Sequence, residues 1–447
     1  MQLYQATLLF GAIFAAVSAY EVPAHCKGVV RLRAEWRDLD SAQQEAFIRA
    51  MRKLKDAGRF DDLVRFHVKN APAMHNNPSF LPMHRLMLAE LEDELIKLEP
   101  SLIAIPYWDW TLDARAPALS PIWDQFGRPV KDRCLDNGAF ANWQCIVNEP
   151  HCLTRGFTYG DRRLSPLPDA QVMGELVRNV DDFVQFSRRL EYGAHATVHI
   201  VLGAEASDFS SMTSPNDPVF FLHHANIDRM YNAWQNTDPK NRLKQYYGTS
   251  NYGGDGVSPE DLLHKGKKVK DVLNTLDLCY VYVNPNTNTR PGTIKPPVVI
   301  PTTPVAPTGN NTTGNSTLAP LPYPASEVGC KRMGYDVQLV RYAEEEYTKV
   351  YKTCDQKVKD GYFIGGIGVN ESARPVPGYG CYPPVQIEAP SYQIPVAKVQ
   401  EIIPSYNSKD GYKYGEGPFL KGTSGAASIS LSAAIAAVAG AISFMLF

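Results

Sequence analysis

Seven of the ten histidines in this 447-residue chain fall into two clusters, His67, His75 and His84, then His195, His199, His223 and His224. Such clusters restrict the fold, because each becomes a site only if the backbone brings its rings to one point. His195 and His199 stand four residues apart, and on a helix that spacing stacks both imidazoles on one face, within reach of one ion. His223 and His224 are adjacent, leave a helix in different directions, and so offer one ligand between them to that ion. In the first cluster Pro72, Pro78 and Pro82 interrupt regular helix. His67 and His84 are therefore expected on separate helices, with His75 on the loop that joins them.

All-imidazole ligation suits copper or zinc better than magnesium, calcium or a carboxylate-bridged di-iron centre. Neither Glu-x-x-His nor His-Glu-x-x-His occurs at ligand spacing, which removes support for a di-iron bundle and for a zinc protease.

Elsewhere the periodicity is helical. Ser41 is expected to cap a helix reaching Lys55, with Phe47, Ile48, Met51 and Leu54 inward and Gly58 as its stop. Phe60–Lys69, His84–Leu98, Asp181–Leu202 and His223–Gln235 read as further helices. Strand alternation is sparse, so the predicted fold is mainly α. A composition of 44% hydrophobic and 11% aromatic residues supplies a sizeable core. Lys and Arg number 45 against 47 Asp and Glu, and this balance leaves no basic excess to neutralise phosphates, so no nucleic-acid partner is expected.

Composition divides the chain. Residues 1–19 carry the apolar run Leu8–Val17 before Ser18-Ala19 and read as a secretory signal. Residues 20–284 form the main domain. Residues 285–329, dense in Pro, Thr, Asn and Gly, are a linker with glycosylation sequons at Asn310, Asn311 and Asn315, and Asn370 adds another further on. Residues 330–420 form a small Cys- and Tyr-rich segment, helical over Tyr342–Lys359, that reads as an accessory piece or as a cover regulating access to the main domain. Residues 421–447 pair the small-residue cluster Gly422–Ala426 with an uncharged apolar tail, the pattern of a glycosylphosphatidylinositol anchor signal, with a hydrophobic tail that anchors as a transmembrane helix as the alternative. Secretion or display at the cell surface, with membrane attachment through that lipid, is expected. Eight cysteines, Cys26, Cys134, Cys145, Cys152, Cys279, Cys330, Cys354 and Cys381, make disulfides the default in an exported chain.

The flanks of the clusters carry more information than the spacing. Phe80-Leu81-Pro82-Met83-His84-Arg85, Pro106-Tyr107-Trp108-Asp109-Trp110 and Asn216-Asp217-Pro218-Val219-Phe220-Phe221-Leu222-His223-His224 strongly resemble the tyrosinase family, which includes catechol oxidases and the oxygen-binding units of hemocyanins. The likeness spans about residues 60–240. It implies a four-helix-bundle type 3 copper domain with long loops, two copper ions as cofactor, and O2 and a phenol as partners. Carried over residue by residue, copper A takes His67, His75 and His84, and copper B takes His195, His199 and His224. His223 is then a neighbour of a ligand. Asp228, one helical turn after His224, is expected to accept an imidazole N–H and fix ring orientation.

Glu191 matches the family's glutamate that holds a water near the metals. Ala196 follows His195 where many monophenol-hydroxylating members carry Asn or Asp, and Ala cannot orient that water. Diphenol oxidation is therefore favoured over monophenol hydroxylation. Members with a Cys–His thioether carry Cys two residues before the second histidine; Ala73 stands there, so no cross-link is expected. The resemblance implies a polyphenol oxidase producing o-quinones for melanin formation or wall cross-linking. Hemocyanin-like O2 binding and an inactive surface protein are the alternatives.

Overall fold

The computed structural model describes residues 23–285, apart from 28, 115–116, 131–132, 157–165, 205–206 and 250–255, together with residues 324–359, the side chains of 351–359 excepted. The expected signal at 1–19, almost all of the linker at 285–329 with its sequons, Asn370, most of the segment 330–420, and the tail 421–447 lie outside the described residues.

Helices dominate, as the periodicity requires. α1 (Ser41–Asp56) is capped by Asp40, whose carboxylate accepts from the Gln43 N–H, rather than by Ser41. Phe47, Ile48, Met51 and Leu54 are buried on its inner face, each side chain contributing about 1.5–3 kcal/mol of apolar burial. Gly58, at φ 72°, turns the chain into α2 (Arg59–Met74), because a residue without Cβ takes that left-handed conformation at little cost.

α2 runs past the expected end at Lys69 and through Pro72. The Asn77 side-chain amide makes this possible by donating to the carbonyls of Pro72, Ala73 and His75 at 2.9–3.1 Å, which fills acceptors that a helix end leaves open. α3 (Phe80–Leu98) begins four residues before His84. Pro82 sits in its first turn, where a missing N–H loses no intrahelical bond.

α4 (Ile122–Phe126) and α5 (Ala170–Asn179) are followed by α6 (Phe183–Arg189), a π-helical turn over Leu190–His195, and α7 (Ala196–Gly203). α8 (Val219–Thr237) is buried along most of its length, and α9 (Pro239–Arg242) is a single turn. Helices α2, α3, α7 and α8 enclose the histidines. Around them packs a core that includes Trp36, Trp108, Trp110, Trp123 and Trp234.

Short strands close the domain. β1 (Arg31–Arg33) pairs in parallel with β4 (Tyr280–Tyr282), and β2 (Gln144–Cys145) pairs antiparallel with β3 (His151–Cys152). Disulfides join Cys26 to Cys279, beside the first pair, and Cys134 to Cys152, beside the second. Cys145 and Cys330 are buried and unpaired among the described residues.

After the linker, α10 (Glu327–Arg332), capped by Ser326, and α11 (Val337–Lys359) return to the domain. Ala325, Cys330, Met333, Tyr335, Val340 and Ala343 pack against Tyr192, Ala196 and Ile200.

Candidate metal centre

His67 projects from α2, His84 from α3, and His75 from the residue that ends α2, as the proline spacing predicts. All three are buried, and their ligand atoms lie within 4.8 Å of one another. His195 and His199, with His223 and His224 from α8, form a second buried group at the same closeness. The two groups abut: the His84 and His224 rings stack at 4.4 Å.

Backbone carbonyls orient the rings. Nδ1 of His67 lies 2.8 Å from the Met212 carbonyl, that of His84 2.8 Å from Phe80, and that of His199 2.7 Å from Phe209. His75 and His195 reach the carbonyls of Ala71 and Glu191, each at 3.2 Å. An Nδ1 that donates its proton to a carbonyl leaves a lone pair on Nε2. The Nε2 atoms of His67 and His84 are 3.4 Å apart, and that of His224 lies 3.3 and 3.2 Å from those of His195 and His199. Between His67 and His84, whose Nδ1 atoms both lie on carbonyls, the facing lone pairs repel at that distance, and a cation between them removes the repulsion. Nδ1 of His224 meets no such carbonyl among the described residues.

Burial also keeps the rings neutral. It holds His67 down at about 4 and His199 at about 3, and it pushes His75, His84, His195, His223 and His224 well below the usual imidazole range, with neighbouring imidazoles adding to the effect. Neutral, inward-facing nitrogen donors are what a copper ion requires.

His223 lies parallel to His195, 5.4 Å away, while His224 makes the close nitrogen contacts. Geometry thus separates the adjacent pair into an inward ring and a ring packed behind it.

Asp228 departs from expectation. Its carboxylate accepts from Arg85 Nε at 2.5 Å and from the hydroxyls of Tyr280 and Tyr282 at 2.6 and 2.7 Å, with Arg33 at 3.5 Å. The buried guanidinium groups need an anion, and they take this one. The contact with Arg85, next in sequence to His84, ties α8 to α3, so Asp228 spaces two ligand-bearing helices instead of holding a ring.

Glu191 is fully buried on the π turn, and its Oε1 accepts from the backbone N–H of Asn76, beside His75, at 2.7 Å. Ala196 is also fully buried, against the cluster formed with residues 325–343.

Two tyrosines that sequence reasoning missed reach the second group from beyond the linker. The Tyr335 hydroxyl lies 3.2 Å from Nδ1 of His195. The Tyr347 hydroxyl donates to the Arg189 carbonyl at 2.7 Å and accepts from the Ala194 N–H at 3.0 Å. A π turn disrupts the regular helical ladder, and Tyr347 binds two of its peptide groups. Gly193 makes room, since a Cβ there would lie 2.2 Å from the Tyr347 hydroxyl. That glycine inside a helical run was the available signal, because such a glycine marks close approach.

The family model for the common central domain of tyrosinase matches residues 57–237. The tyrosinase-like protein phomQ1 of Diaporthe leptostromiformis is 33% identical over 302 residues, which cover 56% of this chain and 77% of that protein. The chain belongs to the tyrosinase family. Tyrosinase ustQ of Aspergillus flavus is 32% identical, with 56% of this chain and 79% of its own covered. A tyrosinase of Streptomyces glaucescens is 32% identical, with 46% and 84% covered. A solved polyphenol oxidase of Thermothelomyces thermophila superposes with a TM-score of 0.47 at 21% identity, over 57% of this chain and 89% of that one. Family membership and the two histidine groups together fit a binuclear copper site in a type 3 copper oxidase.

Proposed function

We propose that this tyrosinase-family protein oxidises o-diphenols to o-quinones with O2 and acts weakly on monophenols. The carrying observation is the facing set of Nε2 atoms from His67, His84, His195, His199 and His224, completed by His75. With two copper ions bound, the centre couples oxidation of two catechols to reduction of one O2 to two waters. The chain's part is to orient five of the six imidazoles through backbone carbonyls, to hold His224 by packing, to keep all six unprotonated by burial, and to exclude bulk water.

The preference for diphenols rests on Ala196. The Glu191 carboxylate is the nearby candidate for holding a water or taking a phenol proton, and Ala196, next in sequence to His195, offers no hydrogen bond to direct that water. Copper reconstitution followed by oxygen-consumption assays on a monophenol, a diphenol and an aminophenol tests the reading. Fast catechol oxidation with slow or lagging monophenol turnover supports it. Equal rates on both overturn the preference, and two bound coppers without oxygen consumption overturn the enzyme.

Hemocyanin-like O2 binding is the second reading, and the packing of residues 325–347 against the π turn favours keeping it in view. Stable oxygenated protein without catechol turnover, after that segment is cut away, selects the carrier. For the cell-surface reading the support is the sequence at residues 1–19 and 421–447, and a role in melanin formation or wall cross-linking follows from that placement. Release of the protein from cells by a phosphatidylinositol-specific phospholipase tests the anchor.

A further inference from the structure

Outside the histidine centre, three side chains of metal-ligating type converge where the hairpin β2–β3 meets the loop after α7. Cys145 and His151 are directly opposed in the antiparallel register, so their side chains share one face. Cys145 is fully buried and unpaired among the described residues. Asp208, also buried, places Oδ2 at 2.6 Å from His151 Nε2. The Cys145 sulfur, a ring nitrogen of His151 and a carboxylate oxygen of Asp208 lie within 4.8 Å of one another.

The arrangement does not suit a nucleophilic triad. The second ring nitrogen of His151, Nδ1, lies 2.7 Å from the Glu149 carbonyl, so it cannot bridge thiol and carboxylate as a base, and the thiol has no exposed surface. The same carbonyl bond is what a metal-binding histidine normally makes with its other nitrogen. Asp208 is held for the task as well: its Oδ1 accepts from Thr213 Oγ1 at 2.6 Å and from Asn216 Nδ2 at 3.1 Å, which leaves Oδ2 toward His151 and Cys145.

We propose that Cys145, His151 and Asp208 form a separate site for one zinc ion. A mixed thiolate, imidazole and carboxylate set suits zinc. Tetrahedral bonds of about 2.0–2.3 Å put donors roughly 3.3–3.8 Å apart, so zinc would open the 2.6 Å contact between His151 and Asp208, with the three donor atoms already within 4.8 Å of one another. The His151 side chain is 40% exposed, so the solvent side leaves a fourth position for water. Binding releases the thiol proton to solvent and forms the zinc–sulfur bond, with no change of oxidation state.

The site has a structural consequence for the copper centre. Asp208 opens the turn Asp208–Ser210, and this loop supplies the carbonyls of Phe209 and Met212 that orient His199 and His67. Zinc would clamp that loop to a hairpin already fixed by Cys134–Cys152.

The test titrates the copper-loaded full-length protein with zinc chloride against a chromophoric chelator, and in parallel with cobalt(II) as a probe of sulfur ligation. One further equivalent of zinc is expected, with a thiolate-to-cobalt charge-transfer band in the near ultraviolet. Cys145→Ser and His151→Ala should each weaken zinc binding by more than the ~100-fold that loss of an outer-shell partner costs, while two coppers remain. His151→Ala alters a half-exposed side chain and covers the case in which Cys145→Ser fails to fold. Zinc uptake unchanged in both folded variants, no third equivalent, or a cobalt spectrum without the sulfur band overturns the proposal.

Discussion

The two histidine triads differ in how far the chain reaches to build them. His67, His75 and His84 lie within one helix–loop–helix unit, and two of their three carbonyl partners, Ala71 and Phe80, sit four residues before the ring they hold. His195, His199 and His224 come from a π turn, the helix after it and a separate helix, and the π turn is braced by Tyr335 and Tyr347 from beyond the linker. Local chain thus preorganises the first triad, whereas the second depends on a remote segment. Disturbances of residues 324–350 should therefore reach copper B before copper A.

The sharpest break separates His224 from its neighbour. His224→Ala should lose copper from the second position and lower catechol oxidation by more than ~100-fold, exceeding the cost of an outer-shell loss, whereas His223→Ala should retain two coppers by elemental analysis. Two coppers in the His224 variant would reassign the ligand.

Gly193→Ala puts a methyl group onto the Tyr347 hydroxyl. Overpacking of this kind costs about 1–3 kcal/mol, so denaturant unfolding should show a loss in that range, with half-occupied copper confined to the second triad. Equal loss from both triads would erase the contrast between them.

Tyr347→Phe keeps the ring and removes both hydroxyl bonds, leaving two buried peptide groups to find other partners. A loss of about 1–3 kcal/mol and faster exchange of the Ala194 amide are expected. Unchanged exchange would show that the π turn stands without the brace.

Acid should act on both triads alike. Each imidazole is held neutral in the folded protein while the unfolded chain takes up protons near 6.5, so stability of the metal-free protein is complete above that pH. It falls as the pH drops, by at most about 1.4 kcal/mol per unit for each ring, until the folded rings titrate, near 4 for His67 and near 3 for His199. Urea unfolding between pH 7 and 4 measures this, and a flat profile would contradict it.

Smallest is the effect at Ala196. Ala196→Asn should raise the monophenol share of turnover, and more so in protein cleaved within residues 286–323, where the cluster around Tyr335 can part to admit the larger side chain. An unchanged ratio in both forms removes the water-orienting argument.

Much of the first triad was legible in advance. Prolines at 72, 78 and 82 marked the break between two helices, although α2 continued to Met74 because Asn77 caps it and α3 began at Phe80 because an early proline loses no bond. The second triad was legible only in part. Spacing of four gave His195 and His199, and it gave a continuous helix where the structure has a π turn, since Gly193 signals a close approach there but not that Tyr347 makes it.

Asp228 shows the same limit. Its place one turn after His224 suggested a bond to an imidazole, but position along a helix leaves open what lies opposite, and two buried arginines lay there.

Sequence by itself determined the helical class, the histidine donors, the family flanks and the Ala at 196, because these depend on periodicity and residue identity. Tertiary structure alone decided which carbonyls hold the rings, which buried cations Asp228 meets, and that a segment beyond a linker braces the second histidine group. Those outcomes depend on which buried polar group meets which partner across more than a hundred residues of chain, and that pairing is fixed only when the core closes.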